Sequence, residues 1–366
     1  MKTSELKTEL LKDFRSGKYN CGDRIPPEKE LVEKFKISRS TLREVIGSLV
    51  QDGLLERKQG SGTYLKKLER NSNPLIGIMV AHISRVETIY ARLVQELEHV
   101  FADRGYSIVL GSHGEDPARA KQQLDRFSQL KVAGIVLVPI MLPHSEDTNL
   151  ELVRMLNAAD IPFILADSQI SARTNSWFSC VSVNNFQGMR LLVKYLHEIG
   201  HRRIAHLKGL QDVYSTEMRY DGYTEAMHEC HLPIDPAYVQ EIKVGPVQMQ
   251  GREEVKTLMA LPNPPTAITC AHDLIAGNVI EELGKMGLRV PEDVAVTGFD
   301  NIPVPGLPHD FLTTVEQPIN EMARTVGSIL LQKLNGSLTG EMQQSVQCHL
   351  KIRNSCKKIN EKVLVS

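Results

Sequence analysis

The sequence predicts two parts of different fold class: a small, mostly α-helical N-terminal domain closed by a β-hairpin, and a larger α/β body of two lobes built on parallel sheets. Three observations carry this. The first 66 residues place apolar side chains at helical spacing and end in a Gly-rich turn; from Leu75 short apolar runs alternate with amphipathic stretches; and between them lies the polar segment Lys67-Leu-Glu-Arg-Asn-Ser-Asn-Pro74, which reads as a linker. The expected division is therefore 1–66, a linker at 67–74, a body at 75–356 and a tail at 357–366. A chain of 366 residues exceeds one ordinary domain, so several cores are expected.

Composition excludes some classes at once. With 42% hydrophobic and 24% charged residues, and no apolar run long enough to cross a bilayer, the chain reads as soluble and globular. The N-terminus Met1-Lys-Thr-Ser-Glu-Leu-Lys has no apolar core or small-residue cleavage site, so a cytoplasmic location is expected and no membrane partner. Six scattered cysteines without a C-x-x-C pair fit reduced thiols better than a disulfide frame or a zinc site, and no metal or cofactor is expected. Charge is uneven. Residues 1–70 hold 16 Lys+Arg against 11 Asp+Glu, net +5, which leaves 27 against 33, net −6, for the rest. A basic head on an acidic body points to a polyanionic partner for the head, although +5 is also common on a solvated surface.

Within the head, Leu6, Leu10, Leu11 and Phe14 recur at helical spacing up to Gly17, which predicts a first helix over 2–16. Pro27 and Glu28 open a second, with Leu31, Val32 and Phe35 on one face and an end near Lys36. Ser38 then suits an N-cap, and Leu42, Val45, Ile46, Leu49 and Val50 follow as a buried stripe. The opposite face presents Arg39, Ser40, Arg43 and Gly47, the residue types with which a recognition helix meets base edges and phosphates; an isolated basic helix can equally be solvated surface. After Gly53, strands Leu54–Lys58 and Thr63–Leu65 flank the turn Gln59-Gly60-Ser61-Gly62, a hairpin too small for a core of its own. The turn lacks the Lys-Ser/Thr of a phosphate loop and leads into a strand, so nucleotide binding is not expected there.

The run Pro27-Glu28-Lys-Glu-Leu…Ile37-Ser-Arg39-Ser-Thr41-Leu-Arg43…Gly53-Leu-Leu…Gln59-Gly-Ser-Gly62-Thr63-Tyr resembles the winged helix-turn-helix domain of the GntR family of bacterial regulators. The resemblance implies DNA contacts from Lys29, Arg39, Thr41 and Arg43 on the helices and from Gln59 and Gly60 at the wing tip. Ser40, Ser61 and Gly62 lie on the same surfaces and complete the expected operator-binding set.

In the body, strands are expected at Ile76–Val80, Ser107–Leu110, Gly134–Val138, Phe163–Ala166, Val181–Val183, Ile204–Leu207, Ala267–Cys270 and Val294–Thr297, with helices such as Ala91–Arg104, Ala118–Leu130, Gln187–Ile199 and Leu274–Met286 between them. This alternation implies parallel sheets covered on both faces, and roughly ten such units are too many for one compact sheet, so two lobes with a cleft are expected. The segments Gly200-His-Arg-Arg-Ile204, Arg219-Tyr-Asp-Gly222-Tyr223, His272-Asp273, Gly287-Leu-Arg-Val-Pro-Glu-Asp-Val-Ala-Val-Thr-Gly-Phe-Asp300 and Leu312-Thr-Thr-Val-Glu-Gln-Pro318 resemble the effector domain of LacI/GalR repressors, itself similar to periplasmic sugar-binding proteins.

Ligands of doubly wound sheets sit beyond strand carboxyl ends. Asp167 and Asp273 follow strands, carboxylates can accept from neighbouring sugar hydroxyls, and Arg219 can donate to sugar oxygens. The resemblance implies that Asp167, Arg219, Asp273 and Gln317 line the effector site, with Tyr90 as a further candidate. On the residues alone, Asp273 can merely cap the helix that starts at Leu274, and Arg219 can pair with Asp221 or Glu217. Several sugar-binding relatives carry a stacking aromatic around Lys243–Gln248; none stands there, so a purine or a sugar phosphate stays open beside a sugar.

His197-Glu-Ile-Gly-His201 satisfies the H-E-x-x-H pattern of zinc proteases, but the apolar stripe Met189, Leu192, Val193, Leu196 stops at Gly200, so the helix should end between the two histidines. Neither a G-x-G-x-x-G after a strand nor a nucleophile elbow is present, and an enzyme is not expected. A transport-type binding protein would suit the body but not the head. The expectation is a DNA-binding repressor of carbohydrate genes, homodimeric, with double-stranded operator DNA and a small effector, a sugar, as partners.

Overall fold

The computed structural model describes residues 6, 7, 9, 10, 22–51, 53–58, 61–66, 74–82, 89–170, 177–338 and 340–358. The chain forms two compact units, Met1–Asn73 and Pro74–Ser366. Most of the first expected helix, the linker and most of the tail lie outside the described residues; residues 6, 7, 9 and 10 are helical.

In the head, α1 (Glu28–Phe35) follows Pro27, whose fixed φ suits a helix entry, and stops at Lys36, which turns left-handed at φ 51°. α2 (Arg39–Gln51) starts after Ser38, whose Oγ accepts from the Thr41 N–H at 3.1 Å. Its buried stripe of Leu42, Val45, Ile46 and Leu49 packs on Leu6, Leu10, Ile25 and Leu31, and on Leu55 and Leu65 of the hairpin β1 (Leu55–Lys58) and β2 (Gly62–Leu65). Leu55 and Leu65 face each other in the antiparallel register, so the hairpin is fastened at its base and projects Lys58 and Gly62 outward at its tip.

The first lobe of the body is a six-stranded parallel sheet in the order β13-β7-β6-β5-β3-β4, where β3 is Leu75–Val80, β4 Ser107–Ser112, β5 Gly134–Leu137, β6 Phe163–Asp167, β7 Ser179–Val183 and β13 Gln343–Val346. Side chains alternate by face. Ile78, Val136, Ile164 and Val181 pack under α3 (Ile89–Ala102) and α10 (Ile319–Leu334), whereas Met79, Ile135, Leu137, Leu165 and Cys180 pack under α4 (Pro117–Gln129) and α5 (Glu146–Ala158).

The second lobe is a four-stranded parallel sheet, β11-β10-β8-β9, with β8 Ile204–Lys208, β9 Val239–Glu241, β10 Ala267–Cys270 and β11 Ala295–Thr297. α8 (Arg252–Met259) and α9 (Asp273–Lys285) cover one face; α6 (Asn185–Glu198) and α7 (Tyr214–Glu229) cover the other. The main chain passes between lobes three times, after β7, after β12 (Thr314–Glu316) and between β13 and β14 (His349–Lys351), and β12 and β14 pair as an antiparallel ribbon beside the second lobe.

The eight expected strands are all present, with ends shifted by at most two residues. β9, β12, β13 and β14 were not expected: three of them are three residues long, and β13, Gln-Gln-Ser-Val, has no apolar run because it sits on a sheet edge. The H-E-x-x-H pattern is broken as expected. α6 ends at Glu198, and His201 lies beyond it, buried, with Nδ1 3.0 Å from Thr266 Oγ1. Among the described residues no cluster of His, Cys, Asp and Glu is able to hold a metal, and no helix is long and apolar enough to cross a membrane.

α6 and α7 approach closely because Gly222 lets the Phe186 carbonyl oxygen sit where a Cβ would stand. Gly222→Ala is expected to cost on the order of 1–3 kcal/mol, since the clash is with backbone. A urea titration checks this: an unchanged midpoint would mean that the two helices separate without cost.

Candidate functional site

The head offers one polar surface. Lys29, Arg39, Ser40 and Arg43 are exposed, and Thr41 is half-buried with its Oγ1 2.8 Å from Ser38 Oγ. Arg39, Ser40 and Thr41 form the first turn of α2, where N–H groups without an intrahelical partner and the helix dipole favour a phosphate. Arg43 Nε rests 2.9 Å from Glu28 Oε2 with both side chains open to solvent, a contact that holds the guanidinium in place at little energetic cost to remove. At the wing, Ser61 Oγ lies 2.5 Å from Tyr64 OH, and Lys58 Nζ stands 4.8 Å from the centre of the Tyr64 ring. Gly62, at φ 126°, leaves room for the Arg24 guanidinium beside it. Arg24 and Lys58 thus add positive charge to the wing, which the sequence pattern did not single out. Gln59 and Gly60 lie outside the described residues.

The second surface lies within the body, where the carboxyl ends of both sheets meet. Arg219, on α7, is only 6% exposed. Its Nε donates to Asn185 Oδ1 at 2.8 Å, Nη1 to the Ala271 carbonyl, and Nη2 to Asp300 Oδ1 at 3.2 Å, while its Cζ lies 3.8 Å from the centre of the Phe299 ring. Gln317, just after β12, donates through Nε2 to the same Asp300 oxygen at 2.7 Å. From the first lobe, Tyr90 at the start of α3 donates its hydroxyl to Asp167 Oδ2 at 3.0 Å, and Asp167 ends β6. Glu115, which follows β4, accepts from the Met141 N–H at 2.8 Å.

These groups sense one another electrostatically. Burial, and secondarily the charge of Asp300, push Asp167 up to about 6, against the pull of the Tyr90 hydrogen bond and of Arg219. Burial also raises Asp300, despite Arg219 and Gln317, and raises Glu115. The Tyr90 hydroxyl is driven well up by burial and by the neighbouring carboxylates Asp167 and Glu115. Glu115, Asp167, Asp300 and Asn301 all adopt left-handed backbone, at φ 61°, 75°, 109° and 54°. Non-glycine residues held this way at strand ends are a mark of functional sites.

Tyr90, Asp167, Arg219 and Gln317 are therefore brought together. Asp273 is not. It is fully buried at the start of α9, where Oδ1 accepts from Thr314 Oγ1 at 2.5 Å and Oδ2 from the Ile302 N–H at 2.8 Å. Both oxygens are occupied, so Asp273 fastens the 298–302 loop to β12 and positions Asp300, rather than presenting a carboxylate of its own. The helix cap in this place is His272, which accepts from the Ile275 N–H. Asp300 was not among the expected site residues, although it follows the apolar strand at Val294–Thr297 much as Asp167 follows its own. Asn185 and Glu115 carried no such signal.

Comparison with known proteins agrees with the two-part organisation of the chain. Residues 2–65 match the bacterial regulatory proteins of the gntR family, and residues 193–356 match the periplasmic binding protein-like domain. The chain is 28% identical to the arabinose metabolism transcriptional repressor of Geobacillus stearothermophilus over 361 residues, 97% of each chain. The chain is a transcriptional regulator. This regulator is also 27% identical to the transcriptional repressor CytR of Escherichia coli, over 89% of the chain and 90% of its relative. Its fold matches a transcriptional regulator CelR solved with cellobiose, at TM-score 0.68 and 24% identity over 87% and 91% of the two chains. It also matches a LacI-type regulator from Alkaliphilus metalliredigens solved with D-xylulofuranose, at TM-score 0.64 and 26% identity over 78% and 99%. The relatives are regulators rather than enzymes, and no catalytic constellation is assigned.

A carboxyl that ionises less readily in the fold than in the unfolded chain makes the fold less stable as pH rises, here between about 4 and about 6. Asp167→Asn is therefore expected to be more stable than the parent regulator at pH 8, with the gap closing towards pH 4. Urea unfolding at the two pH values checks it; an equal gap at both would show that Asp167 ionises normally.

Proposed function

We propose that this regulator is a repressor whose hold on operator DNA is set by a sugar bound between the lobes of its body. The observation that carries the reading is the buried Arg219–Asp300–Gln317 group of the second lobe and the adjoining crossing, gathered with Tyr90 and Asp167 of the first. A fixed guanidinium beside several carboxylates is chemistry that suits a polyol, because vicinal hydroxyls both donate and accept. Two relatives, one named for arabinose metabolism and one solved with cellobiose, support a carbohydrate effector, and the site draws on both lobes, so a ligand there favours one lobe angle over others.

On the DNA side, Arg39, Ser40, Thr41 and Arg43 would meet base edges and phosphates from α2, Lys29 a phosphate from α1, and Ser61 and Gly62, with Gln59 and Gly60, the backbone beside the wing. A homodimer would place two heads on the half-sites of a near-palindromic operator. A groove of about 500 Å³ between α9 and the 304–307 loop, lined by Val247, Leu274, Ile280, Val304 and Leu307, supports this; Val244 and Met249 in the adjoining segment are 66% and 59% exposed. Coupling of about 1–3 kcal/mol between effector and operator would change DNA affinity roughly 5–150-fold.

Two outcomes test the reading. Arg43→Ala is expected to cost about 1–3 kcal/mol of operator binding in a fluorescence titration while leaving effector affinity unchanged; full operator affinity would remove Arg43 from the interface. Ile280→Asp is expected to turn a dimer into a monomer by light scattering and to weaken operator binding with it, and a variant that stays dimeric would place the subunit contact elsewhere. Saturating effector that leaves operator affinity where it was would overturn the switch itself.

A further inference from the structure

The hydrogen-bonding groups of the cleft narrow the chemistry of its ligand, and the inference drawn from them rests on the cleft being the effector site. Acceptors dominate. Asp167, Glu115 and Asp300 are carboxylates, and their side chains are largely withdrawn from solvent: Asp167 is 7% exposed, and the Asp300 and Glu115 side chains are 16% and 19% exposed. Gln317 adds another acceptor. Its Nε2 must face Asp300, because only the amide N–H can donate to a carboxylate, which fixes Oε1 on the other side; that oxygen is buried and, among the described residues, has no hydrogen-bond partner. A buried carbonyl oxygen left unanswered costs stability unless something arrives to donate to it.

Among the described residues, donors are scarce by comparison. The Tyr90 hydroxyl is spent on Asp167, and three of the five N–H bonds of Arg219 are committed to Asn185, Ala271 and Asp300. The guanidinium charge is already answered by Asp300 at 3.2 Å, so it is not available as an uncompensated cation for an incoming anion. Among the described residues, Asp300 is paired with Arg219, and no lysine or arginine pairs with Asp167 or Glu115.

We infer that the effector is a compound rich in hydrogen-bond donors and without negative charge, a neutral or amine-bearing polyhydroxy compound, and that Asp167 and Gln317 Oε1 are the groups that exclude phosphorylated and carboxylated sugars. A phosphate or carboxylate brings only acceptors to a wall of acceptors, adds repulsion from Asp167 and Glu115, and leaves Gln317 Oε1 unanswered. Hydroxyl or ammonium groups satisfy the same atoms. The raised proton affinity of Asp167 points the same way, since a donor placed against it favours the ionised form.

The experiment uses the full-length regulator at pH 7.5 in thermal-shift and calorimetric titrations with matched compounds. The neutral or cationic set is L-arabinose, D-ribose, D-glucose, cellobiose, adenosine and D-glucosamine. The anionic set is ribose 5-phosphate, glucose 6-phosphate, D-gluconate, D-glucuronate, adenosine 5′-monophosphate and inorganic phosphate. The expected result is that binding is confined to the first set, that the charged counterpart of any binder is at least tenfold weaker, and that Asp167→Asn and Gln317→Met each weaken the binder at least tenfold. Asp167→Asn is also expected to narrow the gap between a binder and its phosphorylated counterpart. An anionic compound that binds more tightly than its neutral parent, and is itself sensitive to Asp167→Asn, overturns the inference but keeps the cleft as the effector site. A binder indifferent to both substitutions overturns the cleft assignment, and with it the reading on which the inference rests. A panel in which no neutral or amine-bearing compound binds also overturns the inference.

Discussion

A guanidinium taken out of water must have its charge and its donors answered by protein, and the way Arg219 meets that demand organises the second lobe. Its partners come from distant parts of the chain: Asn185 at the start of α6, directly after the first passage between lobes; the Ala271 carbonyl beyond β10; and Asp300 beyond β11. One side chain from α7 thus registers a helix start and two strand ends against each other. Asp300 then passes the constraint to Gln317 at the second passage between lobes, and Asp273 holds the same loop from behind through Ile302 and Thr314. The wall of the cleft is not a set of independent side chains on loops. It is one hydrogen-bonded assembly whose members fix each other's rotamers, the kind of preorganisation that lowers the entropic cost of any binding event.

The assembly is held against resistance. Asp167, Glu115 and Asp300 are carboxylates in a region where burial opposes ionisation, and their backbones sit in conformations that side chains rarely take. A chain selected for stability alone would place an amide or glycine at such positions. The cost is local, and the two large cores beneath the sheets, with Phe101, Phe127, Phe299 and Tyr223 fully buried, offset it.

Much of this was legible in the sequence, for physical reasons that also explain what was not. Strands buried on both faces must be apolar throughout, which made β3, β5, β6, β8 and β10 visible as short runs between helical patterns. β12 and β14 are brief ribbons and β13 is a polar edge, so no such pressure acts on them. Asp167 was expected from its strand-end position and resemblance, and Tyr90, Arg219 and Gln317 from resemblance; the fold brings the four near one another. Asp273 was reached as Asp167 was and sits elsewhere, because a residue at the first position of a helix can turn inward as readily as outward, and only the loop at 298–302 decides which. Asp300 was read as part of a matching run and not as a site residue, since nothing local distinguishes it until Arg219, far away in the chain, is seen to point at it. The ends of α1 and α2 were set by Pro27 and Ser38, and both are where local chemistry puts them.

The path of the chain has a consequence for how the protein comes into being. β3 to β7 of the first lobe are made early, but α10, which covers Ile78, Val136, Ile164 and Val181, and the edge strand β13 emerge only after the whole of residues 184–318 has been translated. At synthesis rates of about 5–20 residues per second that gap lasts on the order of ten seconds. During it five strands of a parallel sheet stand with one apolar face covered by α3 but not by α10, and completing that face demands contacts between residues very far apart in sequence, the slow class of folding event. The three crossings that join the lobes therefore also leave part of the first lobe's apolar surface waiting on residues made last.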